Sequence, residues 1–108
     1  NVTPIEDSLW RQVPGLNDPH AVSFESVNFP GHYLRHRNGE VWKDASDGSA
    51  LFRADATWRK RPGQGDGAGV SFEASNFPGS FLRHRNGLFY SEALGTPLDR
   101  DDATFYDR

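Results

Sequence analysis

Thirteen of the seventeen residues from Ser23 to Gly39 recur 48 positions later, between Ser71 and Gly87. Ser-Phe-Glu returns, then Asn-Phe-Pro-Gly, then Leu-Arg-His-Arg-Asn-Gly. A period of this length fixes an architecture of stacked or rotated units before any single residue is interpreted. The repeat runs on: Ala54-Asp55-Ala56-Thr57-Trp58 aligns with Asp101-Asp102-Ala103-Thr104-Phe105, one residue out of step. A third trace precedes both, since Asp7-Ser8-Leu9-Trp10-Arg11 lies 48 residues before Asp55 to Arg59. The chain therefore divides into the tail of one repeat (1–15), a full repeat (16–63) and a nearly full one (64–108), together one domain over 1–108. Three whole units would need about 144 residues, so the front of one unit is missing from this sequence.

Each repeat reads as four strands. Val22 to Ser26 alternates apolar and polar residues, Asn28-Phe29-Pro30-Gly31 is a turn, and Tyr33–Arg37 and Glu40–Lys43 flank Asn38-Gly39. Asn-Gly is the strongest short hairpin signal, because a type I′ turn needs positive φ at both central positions. Residues 44–50 read as a polar loop and 57–61 as the fourth strand. No window has a helical period. A four-strand unit repeated about a pseudo-threefold axis is an all-β β-trefoil. A propeller is excluded because two or three blades cannot close a ring.

Only 35% of the residues are hydrophobic but 13% are aromatic, so rings must supply much of the core. The 18 Gly and Pro residues suit many short strands. A net charge of −3 argues against nucleic acid as a partner. No segment is long and apolar enough to span a membrane, and no signal peptide is visible. The absence of Cys removes thiolate and zinc–sulfur chemistry, and nothing points to a metal or other cofactor.

A two-residue loop pairs Arg37 with Glu40, His36 with Val41 and Arg35 with Trp42. Leu34, His36 and Val41 then share one face; Arg35, Arg37, Glu40 and Trp42 share the other. The second copy sets Leu82, His84 and Phe89 against Arg83, Arg85 and Tyr90. Arg35–Trp42 and Arg83–Tyr90 become candidates for guanidinium–ring stacking. A histidine among apolar neighbours needs a polar partner. Asp55 and Asp102 recur in step with His36 and His84 and are the candidates. The paired acids Glu6-Asp7 and Asp101-Asp102, read as strand neighbours, point to opposite faces and do not make the two-carboxylate site of a glycosidase. No nucleophile elbow, phosphate loop or zinc motif occurs, and the chain reads as a non-enzyme.

The run Ser-Phe-Glu-x-x-Asn-Phe-Pro-Gly-x-aromatic-Leu-Arg-His-Arg-Asn, followed by Ala-Leu-Phe-Arg-Ala-Asp-Ala-Thr-Trp, resembles the arabinose-binding module of arabinofuranosidase B, carbohydrate-binding module family 42. The resemblance covers nearly the whole chain. It implies a β-trefoil and a noncatalytic, secreted module that binds arabinofuranose side chains of arabinoxylan and arabinan. It implies pockets built on His36 with Asp55 and on His84 with Asp102, with Asp7 in a third. Trp42 and Tyr90 are the candidate sugar platforms. Arg37 and Arg85 stand where the family often carries an aromatic residue, and Thr96-Pro97-Leu98-Asp99-Arg100 replaces the first copy's Ser-Ala-Leu-Phe-Arg.

Bland readings stand beside these. The histidines can be buried structural groups that tie hairpin to loop, and Trp42 and Tyr90 can simply pack against Arg. Trp10 and Trp58 read as core, Arg59-Lys60-Arg61 as a solvated face, and Asn28 and Asn76 as makers of turn hydrogen bonds. The alternative function is a structural or protein-interaction trefoil. Because one third is incomplete, unpaired edges are expected, to be filled by a longer parent, a companion fragment or a second copy. A chain without an initiating Met agrees with processing or excision.

Overall fold

A computed structural model describes residues 10–85 and 88–105. Asp7 and the N-terminal tail ahead of Trp10 lie outside the described residues. Eight strands and two short helices follow in the order β1 (Trp10–Pro14), β2 (Val22–Ser26), β3 (His32–Arg37), β4 (Glu40–Ala45), α1 (Ala50–Asp55), β5 (Trp58–Pro62), β6 (Val70–Ala74), β7 (Phe81–Arg85), β8 (Leu88–Glu92) and α2 (Pro97–Asp102). The pairings run β2-β3-β4-β8-β7-β6-β5 and return to β2, a closed seven-strand ring with β1 laid along β2. The edges expected to stay open are thus joined, each by one residue pair: Glu40 with Tyr90 and Val22 with Trp58.

The hairpin register follows the sequence. Arg37 faces Glu40, His36 faces Val41 and Arg35 faces Trp42, around Asn38 at φ 54° and Gly39 at φ 80°. Leu34 and Val41 lie inside with Phe24, Trp58, Phe72, Ala74 and Leu82. Phe24 and Phe72, the same position in the two copies, meet edge-on with centroids 4.9 Å apart. Trp58 is fully buried, and its indole N–H donates to the Leu34 carbonyl. Trp10 packs on the same cluster from the outside.

The repeated polar residues hold the loops. Ser23 and Ser71 are fully buried; their hydroxyls accept from Leu16 N–H and Gln64 N–H and donate to the Ala56 and Ala103 carbonyls. Gly63, in the Pro-Gly that ends β5, has no room for a side chain, because a Cβ there would lie 2.0 Å from the Asp66 carbonyl oxygen.

The loop read over 44–50 narrows to 46–49, between β4 and α1, and the helices stand where no window shows a helical period. Each is six residues long, too short for a 3.6-residue period to show. Their start signals were present in the sequence. Ser49 caps α1 through the Phe52 N–H, and Thr96 with Asp99 forms a capping box around Pro97 at the start of α2. The Asp101-Asp102 pair is therefore helical rather than extended, and only Asp102 turns towards β7.

Candidate functional site

Asp55 ends α1, which delivers its carboxylate under the β3–β4 hairpin. The Arg35 guanidinium binds one carboxylate oxygen and lies over the Phe52 ring at 5.2 Å. The other oxygen accepts 2.9 Å from the Asn76 amide, which belongs to the next repeat. His36 Nε2 stands 3.6 Å from that same oxygen and 2.7 Å from the Asn76 side-chain oxygen. One amide thus spans the expected His–Asp pair, and three of the four groups carry or orient hydrogen-bonding capacity around one carboxylate.

The Asn76 corner is itself pinned. The Glu73 carboxylate accepts from the Gly79 N–H at 2.8 Å and from Arg61 at 3.0 Å. The Gly79 N–H, then Arg61, hold its carboxyl below the usual carboxylate range. Glu25 does the same for Gly31 in the first copy, aided by Arg11. This explains why Ser-Phe-Glu and Pro-Gly recur together: the acid ties the strand to its corner. Phe77, beside Asn76, sets its ring 5.6 Å from His36, edge to face.

Between hairpin, helix and corner lies an open cavity of about 390 Å³. Its polar wall is Arg35, His36, Arg37 and Asp55; its apolar wall is Leu51 and Phe77, which are 67% and 62% exposed. The volume is that of a small-molecule cleft. Asp55 presents two oxygens with about four acceptor directions, not all of them taken, and its position is held by the ion pair.

The second copy is built differently. Arg83 is buried and binds both Asp102, at 2.9 Å, and Asp99, at 2.6 Å. Arg83, then the Gly95 N–H, holds the Asp99 carboxyl below the usual range. His84 Nε2 lies 3.7 Å from Asp102, matching the first pair. Yet His84 is 52% exposed where His36 is 8% exposed. Among the described residues no asparagine bridges His84 to Asp102.

Three expectations need correction. Arg35 faces Trp42 in register but does not stack on it: Arg35 turns to Asp55, and it is Arg37 that covers the Trp42 ring at 4.8 Å. Trp42 is half-buried and does not line the cavity; Phe77 and Leu51 stand there instead. Asn76 does more than make a turn, because its amide joins two elements of the preceding repeat. Its recurrence in step with His and Asp was the available signal, but nothing in the sequence spacing says that the contact crosses from one repeat to the next. Arg59, Lys60 and Arg61 are exposed, as a solvated face should be.

The model of the alpha-L-arabinofuranosidase B (ABFB) domain matches residues 1–106. The anti-sigma-I factor RsgI5 of Acetivibrio thermocellus is 57% identical over 104 residues, which is 96% of this chain and 22% of that protein. Alpha-L-arabinofuranosidase B of Aspergillus niger is 45% identical over 51 residues, 47% of this chain and 10% of the enzyme. The chain thus spans about a tenth to a fifth of these relatives. A crystal structure of arabinofuranosidase complexed with arabinofuranosyl-α-1,2-xylobiose superposes with TM-score 0.80 at 31% identity, over 89% of this chain and 21% of that one. A BEL β-trefoil superposes with TM-score 0.66 at 19% identity, over 98% of this chain and 72% of that one, which shows the fold. The chain is a β-trefoil that belongs to the alpha-L-arabinofuranosidase B (ABFB) domain family.

Proposed function

We propose that this protein is a noncatalytic carbohydrate-binding module that recognises arabinofuranose side chains of arabinoxylan or arabinan, and that it works outside the cell, where such polysaccharides lie. The observation that carries the reading is the cavity in which Asp55, His36 and Arg35 face Phe77 and Leu51. A furanose has hydroxyls that need charged or neutral hydrogen-bond partners and one apolar ring face that needs an apolar floor. Asp55 accepts from the sugar's hydroxyls, Arg35 and Arg37 donate to its oxygens, and Phe77 takes the ring face. Binding displaces water from every hydroxyl, so affinity at one cavity is weak and gains come from linked sites.

The paired His and Asp residues support this reading over a purely structural trefoil, since Leu51 and Phe77 are left exposed beside them. Nothing in the reading requires bond cleavage: Asp55 is tied to Arg35, Asn76 and His36, and no second carboxylate lines the cavity among the described residues. Affinity electrophoresis tests the proposal. Arabinoxylan in the gel should retard the protein, unsubstituted xylan should not, and Asp55→Asn should remove the retardation. Equal mobility in both gels would leave the structural reading in its place.

A further inference from the structure

Strand β5 carries three cations side by side, Arg59, Lys60 and Arg61, all exposed. The scaffold does not require them. β1 lies along β2 in the register in which β5 lies along β6, so Arg11, Gln12 and Val13 answer to Arg59, Lys60 and Arg61, and each set faces Glu, Phe and Ser. One strand thus carries one charge where the other carries three, although neighbouring like charges repel. Arg61 has the task that Arg11 has: its Nε donates to Glu73 at 3.0 Å, as Arg11 binds Glu25 at 2.6 Å. Arg59 reaches Asp18 only at 3.9 Å, too long for a hydrogen bond. Asp18 is fixed by its own loop, where it accepts from the His20 N–H at 2.9 Å. The next unit holds Asp66 in the same way through Ala68, so the imidazole of His20 is also particular to this loop. Asp18, His20, Ala21 and the three cations line an open cleft of about 150 Å³, which shares no residue with the cavity around Asp55.

We infer that this cleft binds the carboxylate of a sugar acid within a polysaccharide. With His20 neutral, three cations against the one Asp18 carboxylate leave a surplus of two positive charges. The planar guanidinium fork matches the two oxygens of a carboxylate. The cleft has less than half the volume of the cavity around Asp55, which suits one charged substituent and not an oligosaccharide. The chain as a whole carries −3, which disfavours a polymer with a phosphate on every residue; a carboxylate on an otherwise neutral chain meets less of that repulsion. That the acid belongs to a polysaccharide rests on the arabinofuranose reading, whereas the affinity for a carboxylate rests on β5 alone.

Calorimetric titration with trigalacturonate, a sugar acid without arabinose, tests it at low salt. Binding should be saturable, and methyl esterification of the carboxylates should weaken it about tenfold or more. Arg59→Gln with Lys60→Gln should weaken it about tenfold. Melting of that variant should be unchanged, because both side chains are exposed and Arg61 keeps its bond to Glu73. A control of equal net charge, Arg11→Gln with Arg100→Gln, alters two exposed residues that do not line the cleft and should bind nearly as the unaltered protein does. Asp18→Asn removes the opposing charge, keeps an oxygen for the His20 N–H and should tighten binding. Asp55→Asn should leave trigalacturonate binding intact, so failure of the arabinofuranose reading and failure of this inference give different results. A flat titration of the unaltered protein, equal binding of the methyl ester or equal weakening in the control would overturn the inference. So would tighter binding of oligothymidylate than of trigalacturonate, which would assign the cations to nucleic acid.

Discussion

Asn28 and Asn76 are the same residue in the same motif, and their surroundings separate them. Asn76 satisfies a buried carboxylate and a buried imidazole at once, at 2.9 and 2.7 Å. Removing one partner of buried polar groups costs about 1–3 kcal/mol, because the groups left behind keep their desolvation penalty. Asn76→Ala should therefore lower stability by about that amount, whereas Asn28→Ala, at an exposed position, should change it by less than about 0.5 kcal/mol. Urea titration of both variants checks the contrast. Equal effects would mean that the Asn76 bridge does not hold the site. At this scale the recurrence of His36 and Asp55 with His84 and Asp102 was readable from spacing alone. The roles of Arg35 and Arg83 were not, since alternation along a strand says which face a side chain leaves from and not where a long guanidinium ends.

At the scale of elements, the hairpins were legible and the helices were not. Asn38-Gly39 dictates its turn, and the turn dictates every pair from Arg37–Glu40 to His32–Ala45. The stretches 50–55 and 97–102 give fewer than two turns, and their identity rests on caps rather than on pattern. Ser49→Ala should thus cost about 1 kcal/mol, by loss of the N-cap to Phe52, and should weaken the site because α1 carries Asp55. The acids that pin the corners make a pH prediction. Glu25 and Glu73 are held below their ordinary pKa chiefly by backbone N–H groups of Gly31 and Gly79. A depressed carboxyl contributes stability that is fully present above the unfolded pKa, about 4.3, and is lost as pH falls through the lower folded value. Thermal melts should therefore fall on acidification below about pH 4.3, and Glu25→Gln with Glu73→Gln should flatten that fall. An unchanged acid limb in the double variant would contradict the pinning.

For the molecule as a whole, the repeat sets a ring in which the His36–Asp55 site is shared between consecutive units. The hairpin and helix of one copy supply His36, Arg35 and Asp55; the corner of the next supplies Asn76 and Phe77. That division explains the closure of the first site; among the described residues no corner meets the His84–Asp102 pair. It was out of reach of the sequence because a period reports which residues are equivalent, not which equivalents touch. The ring closes through the single pairs Glu40–Tyr90 and Val22–Trp58, so its integrity leans on the shared interior of Phe24, Trp58 and Phe72. The cleft between consecutive repeats is the proposed sugar site. Calorimetric titration with arabinofuranosyl xylobiose measures it directly, comparing the unaltered protein with Phe77→Ala. Phe77 is 62% exposed, so its removal leaves the fold intact while taking away the floor under the sugar ring. Saturable binding should weaken about tenfold in the variant, the loss of roughly 1.5 kcal/mol of apolar contact. Saturable binding with the same affinity in both proteins would contradict that assignment.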